Sequence, residues 1–139
     1  MIQKKLVFFI PSIEGGGVEK NLFEISNYIA SKIKNVSIIT ASTKYDKFFK
    51  KINIIHPFGK FFYLNCRRSI KYLFCLIELI KISINNGNIV VFSFQANLYC
   101  IIICKLFNIK IITRSNSAPI GWAKNSFKKI IFKNLLKFS

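Results

Sequence analysis

FFIPSIEGGGVEKNLFEIS, residues 8–26, decides the fold. An apolar run ends at Pro11 and Ser12, three glycines follow, and an amphipathic segment begins. Glycine is the costliest residue to order, so Gly15, Gly16 and Gly17 together need a reason. Either the turn demands a backbone that other residues avoid, or the main chain must lie close to something else. Upstream, KKLVFFI at 4–10 is continuously apolar behind a basic start, as in a strand covered on both faces. Downstream, Leu22, Ile25, Ile29 and Ile33 recur at helical spacing over 18–34. Strand, glycine loop, helix is the opening unit of a parallel α/β sheet.

The rest of the chain repeats that alternation. Strands are expected at 35–42, 52–56, 88–94 and 109–115, and helices at 66–84, 96–107 and from about 123 to the end. Residues 44–51, KYDKFFKK, read as a polar connection. Ile70, Leu73, Leu76 or Ile77, and Ile80 supply the expected apolar face of the second helix, and Asn108 a left-handed cap for the third. This order predicts an α/β fold with a Rossmann-like, doubly wound, mostly parallel sheet, in one domain spanning 1–139. Ligands of such sheets sit beyond the carboxyl ends of the strands, which is where the glycine loop lies.

Composition narrows the class. Hydrophobic residues make up 52 % of the 139, which excludes a disordered chain. The formal net charge is +17 at pH 7, which points to an anionic neighbour: phospholipid, nucleic acid or a phosphorylated substrate. Lysine far exceeds arginine, which occurs only at Arg67, Arg68 and Arg114. AT-rich codons for Ile, Lys, Asn and Phe are the competing explanation of the charge. Cys66, Cys75, Cys100 and Cys104 form no CxxC pair, and His56 is the one histidine, so no metal site is expected. Cys100 and Cys104 read as one buried helix face, His56 as structural, and the setting as reducing and cytosolic.

The N-terminus resembles a signal peptide only superficially, since its apolar run is short and meets Pro11 and Glu14. Lys105 and Lys110 interrupt the most apolar stretch, 98–112, so no transmembrane helix is expected.

The glycine loop lacks the GxGxxG spacing of dinucleotide sites and the GK[ST] of a P-loop. Its residues suit an anion or sugar lying against backbone N–H groups and a helix N-terminus; a merely tight turn remains the alternative. Glu19, in the first helical turn, favours the helix dipole or meets substrate. Ser93, Gln95 and Asn97 follow the fourth strand and suit hydroxyl recognition, with Asn97 equally suited to cap a helix. Arg114, Ser115 and Asn116 follow the fifth; Arg114 meets a phosphate, or forms a salt bridge or a solvated strand end. Trp122 reads as a core or interfacial anchor, with sugar stacking as the alternative. Lys124, Lys128, Lys129, Lys133 and Lys137 recur along an apolar-backed final segment, and Arg67 and Arg68 open another. Both read as ordinary solvated faces or as contacts to anionic lipid.

IPSIEGGGVEKNLFEIS, with Gly16, Gly17, Val18 and Glu19 in register with a Gly-Gly-x-Glu motif, resembles the first loop and helix of family-4 retaining glycosyltransferases of GT-B architecture. Residues 90–122 resemble that family's fourth strand, the following helix, and the strand and loop lining the acceptor side of its cleft. The resemblance implies one half of a GT-B fold: an acceptor-side domain whose loop at Gly15–Gly17 and Glu19 approaches the diphosphate and sugar of a nucleotide-sugar co-substrate. It implies a glycan or lipid-linked acceptor and a peripheral place on the inner face of the cytoplasmic membrane. It also implies Ser115 or Asn116 in place of a histidine common in the family, and no metal cofactor. The donor-binding domain and its paired glutamates are absent from this sequence, so the domain reads as incomplete and inactive alone. A second chain supplying the donor half, a longer gene product and a decayed gene are the expectations that follow. The competing reading is a non-catalytic basic module on anionic membrane or nucleic acid. No helix-turn-helix, zinc-finger or RNP signature favours nucleic acid.

Overall fold

The computed structural model describes residues 4–57, 66–85 and 88–114. The expectations for Ser115, Asn116, Trp122 and the lysines from Lys124 to Lys137 lie outside the described residues. Five strands form a single all-parallel sheet: β1 (Lys5–Phe9), β2 (Val36–Ile39), β3 (Asn53–Ile55), β4 (Ile89–Ser93) and β5 (Lys110–Thr113). Their order is β3-β2-β1-β4-β5, a Rossmann-like, doubly wound α/β arrangement. Three α-helices accompany them: α1 (Gly17–Lys32), α2 (Arg68–Asn85) and α3 (Asn97–Leu106). The chain leaves β1 to one side for β2 and β3, then returns across it to β4 and β5. The switch point therefore lies between β1 and β4, which pair from Lys5 with Ile89 to Phe9 with Ser93.

Alternation along β1 divides the core. Phe8 joins Leu22, Ala30, Ile38 and Phe94 on the α1 face. Val7 and Phe9 join Cys75, Leu79, Ile82, Cys100 and Cys104 on the opposite face, under α2 and α3. All three of these β1 residues are fully buried, as their continuous apolar run required. Cys100 and Cys104 do share a buried helix face. Burial pushes the Cys75 thiol up to about 12. The neighbouring Cys104 thiol and burial both raise that of Cys100.

Two expectations need correcting. The buried face of α2 is Cys75, Leu79 and Ile82, whereas Ile70 and Leu73 are exposed. Isoleucine, leucine and phenylalanine occur around this whole helix, so spacing alone does not single out one stripe. The connection 44–51 is less polar than it reads. It holds a short 3₁₀ turn (Asp46–Phe48), a buried Phe49, and Tyr45 and Phe48 stacked with Phe23 of α1. Asn27 fixes it to α1: its amide nitrogen donates to Phe48 O at 2.8 Å and its oxygen accepts from Lys50 N at 2.7 Å. His56 is structural as expected, its ring nitrogens 2.8 Å from Thr40 O and 3.0 Å from Asp46 Oδ2.

Helix α3 ends in a Schellman motif. Asn108 takes φ 52°, Ile109 N donates to Cys104 O at 2.7 Å, and Asn108 N to Lys105 O at 3.2 Å. Asparagine is the residue other than glycine that best tolerates this conformation, and it turns the chain directly into β5.

Candidate functional site

At the carboxyl edge, above the β1–β4 switch point, the structure has an open cleft of about 260 Å³. Val18 and Glu19 of α1, Arg68 and Tyr72 of α2, Phe94, Gln95, Ala96 and Asn97 after β4, and Arg114 after β5 line it. Four separate segments thus converge where a doubly wound sheet places its ligand.

The glycine loop leads into Val18 and Glu19 on one wall, and its three residues have different reasons. Gly15 has φ 89°, and a Cβ there would lie 2.8 Å from the Tyr45 hydroxyl. Gly16 precedes α1 as its N-cap, and its N–H donates to Glu19 Oε2 at 2.9 Å. That is half of a capping box: the glutamate reaches back, but glycine has no side chain to answer. A Cβ on Gly16 would stand 3.0 Å from the same carboxylate oxygen. Gly17, the first helical residue, has nothing within 4 Å of where its Cβ would be. Glu19 itself is only 6 % exposed, its carboxylate partly spent on the cap while one edge borders the cleft.

The opposite rim is braced by side chains. Asn97 does not cap α3. Ala96 is the N-cap, at φ 56° and ψ 32°, and Asn97 is the first helical residue. The Asn97 amide instead bridges two strands: Nδ2 donates to Arg114 O at 2.8 Å, and Oδ1 lies 2.8 Å from Ser93 Oγ. A carbonyl only accepts, which fixes this orientation of the amide. Ser93 is fully buried, its single hydroxyl proton shared between Asn97 Oδ1 and Gln95 O at 2.9 Å. Ser93 therefore supports the cleft and does not line it. Arg114 N also donates to Ser93 O at 3.0 Å, so the Arg114 backbone is held on both its N–H and its carbonyl.

The side chain of Arg114 packs over Phe94, 5.6 Å from guanidinium carbon to ring centroid. Its Nη1 is buried and has no hydrogen-bond partner among the described residues. Across the cleft, Arg68 Nε donates to the Tyr72 hydroxyl at 2.9 Å, and that hydroxyl lies 3.5 Å from Gln95 Oε1. Arg68 meets Glu14 at 3.7 Å through a pair in which both side chains are more than half exposed.

Of the expected site residues, Glu19, Gln95, Asn97 and Arg114 meet at one cleft, whereas Gly15, Gly16 and Gly17 precede its lining residues and are not part of it. Arg68, read as a lipid contact, stands on the cleft wall; Arg67 is exposed. Tyr72, Phe94, Ala96 and Val18 were not singled out from the sequence. One signal was there: a helix that follows a strand in a parallel sheet begins on the ligand edge, so the first turns of α2 belong to it. Among the described residues no group of three or more His, Cys, Asp or Glu could hold a metal ion, and no helix is long and apolar enough to cross a membrane. Comparison of the chain with protein-family models, with curated proteins and with solved structures found no match.

Proposed function

We propose that this chain is the acceptor-side half of a retaining sugar transferase, acting with a donor-binding half supplied by further sequence or a second chain. The observation that carries this reading is the meeting of Glu19, in the first turn after the glycine loop, with Gln95, Asn97 and Arg114 at one cleft over the switch point. Tyr72, Gln95 and Glu19 offer hydroxyl, amide and carboxylate groups suited to sugar hydroxyls. Gly17 leaves open the space that a side chain would take, directly before the cleft residue Val18. In the reaction, an acceptor hydroxyl oxygen forms a bond to the anomeric carbon, the bond from that carbon to the diphosphate breaks with its electron pair leaving on the diphosphate, and the hydroxyl proton passes to the departing diphosphate oxygen. Cationic side chains and helix N-termini stabilise such a leaving group. The excess of basic residues supports a place on the cytoplasmic face of an anionic membrane, with a glycan or lipid-linked acceptor.

The test uses the native polypeptide purified from its source cell, with its intact mass recorded. It is incubated with labelled UDP- or GDP-hexoses and a lipid and glycan extract of the same cell. Label transferred to the extract with retained anomeric configuration is the expected result. Absence of transfer by a polypeptide well above 16.1 kDa, or by the 16.1 kDa chain together with every chain that copurifies with it, overturns the reading.

A further inference from the structure

We infer that the cleft binds a phosphate-type anion, held by the guanidinium groups of Arg114 and Arg68. This deepens the proposed function by naming the chemistry that its ligand carries, and it can be tested without sugar transfer.

Arg114 carries the argument. An arginine at a strand end ordinarily reaches water or a carboxylate. Here the backbone is fixed on both sides, by Ser93 O and by Asn97 Nδ2, so the side chain has a set starting direction. The Phe94 ring lies 5.6 Å from the guanidinium carbon, within cation–π range. Nη1 is buried without a hydrogen-bond partner among the described residues, which is costly for a charged donor. No ion pair to Arg114 occurs among the described side chains, and the same residue lines the cleft. A guanidinium held beside an aromatic ring, with one nitrogen buried and its donor open, is preorganised for an oxyanion, because its planar fork matches two oxygens of one phosphate.

Arg68 supplies the second charge. Tyr72 orients it through Nε, which leaves its terminal nitrogens for other partners. Its ion pair with Glu14 is long and solvated, so an incoming anion displaces little. Glu19, the acidic residue of the lining, is turned to the Gly16 N–H through Oε2. Neutral Tyr72, Gln95 and Asn97 complete the wall. The anion belongs either to the diphosphate of a nucleotide-sugar or to a phosphorylated acceptor.

Inorganic pyrophosphate is the probe, titrated calorimetrically into the full chain at fixed ionic strength. The variants are Arg114→Gln, Arg114→Lys, Arg68→Gln and Lys34→Gln. Lys34 is exposed beyond the end of α1 and serves as a control for the general attraction of a basic chain. Circular dichroism melts accompany each, so that loss of fold is separated from loss of binding. The expected result is a drop of about tenfold or more in pyrophosphate affinity for Arg114→Gln and Arg68→Gln, since a hydrogen bond to a charged group is worth at least that much. Arg114→Lys should weaken binding too, having lost the fork, and Lys34→Gln should not. Equal losses at all positions, or no saturable binding, overturn the inference. Displacement of pyrophosphate by UDP assigns the anion to the donor, and displacement by glycerol phosphate to the acceptor. Arginine-dependent binding without sugar transfer would sink the transferase reading and leave the anion site standing. Transfer that is indifferent to both arginines would do the reverse.

Discussion

A methyl group placed on each of the three loop glycines meets a different fate. On Gly15 it must accept φ 89° and crowd the Tyr45 hydroxyl. Gly15→Ala should therefore lose about 1–2 kcal/mol, the usual penalty of a left-handed conformation, read as a lower urea midpoint at unchanged slope. On Gly17 the methyl enters open space in the first turn of a helix. Gly17→Ala should leave stability unchanged or raise it by up to about 1 kcal/mol. If that space serves the ligand, the same variant loses sugar transfer while melting as the wild type does. A variant that melts normally and transfers normally would remove Gly17 from the site. Ala96 presents the reverse case: a residue with a Cβ held at φ 56°, on the cleft wall. Ala96→Gly should raise stability by about 1 kcal/mol in the same urea titration, because it relieves that strain. An unchanged or lower midpoint would mean that the αL geometry costs the alanine nothing here.

Asn97 ties α3 to the ends of two strands, and its removal is an element-scale event. Asn97→Ala leaves Arg114 O without its side-chain donor and the Ser93 hydroxyl with Gln95 O alone, and should cost about 1–3 kcal/mol. Asn97→Asp should cost more than Asn97→Ala, since it sets a carboxylate oxygen against the Arg114 carbonyl; a smaller loss for Asp would mean that the amide is not the tie. At this scale the sequence was most readable for order and least for orientation. The central strands β1 and β4 are legible because a strand covered on both faces carries a continuous apolar run, as LVFFI and IVVF do, and the others follow from the alternation with helices. The Schellman turn at Asn108 was foreseen because few residues accept αL. The buried face of α2 was not, since a helix with apolar residues on every side carries no single stripe. The tie at Asn97 was also hidden: its partners, Ser93 and the Arg114 carbonyl, come together only when β4 and β5 pair. Arg68 was assigned by its charge to the membrane, though its place after β3 puts it on the ligand edge. The cleft was thus half legible, through loops that follow strands, and its α2 wall was not.

For the whole molecule, two buried thiols, Cys75 and Cys100, weaken the fold at alkaline pH. Both resolved shifts, at Cys75 and Cys100, are upward, so the folded chain keeps protons that the unfolded chain releases above about pH 8.5. The unfolded state then binds fewer protons, and stability falls with rising pH, by up to about 1.4 kcal/mol per pH unit for each such thiol. For Cys75 this loss runs from that point to about 12, and below it the thiols contribute no pH dependence. Urea titrations at pH 8 and pH 10 should show a smaller alkaline loss for Cys75→Val than for the wild type, and an equal loss would refute the assignment. The pairing of Lys5–Phe9 with Ile89–Ser93 has a consequence in time. The central strand of the sheet cannot acquire its β4 neighbour until the chain has left the ribosome as far as Ser93. Until then it has at most β2 beside it, and one edge of KLVFF stays open during synthesis. Such long-range parallel pairing closes late and slowly. The nascent chain is thus most vulnerable to aggregation in the interval between synthesis of β2 and arrival of β4, when a holding chaperone would matter most.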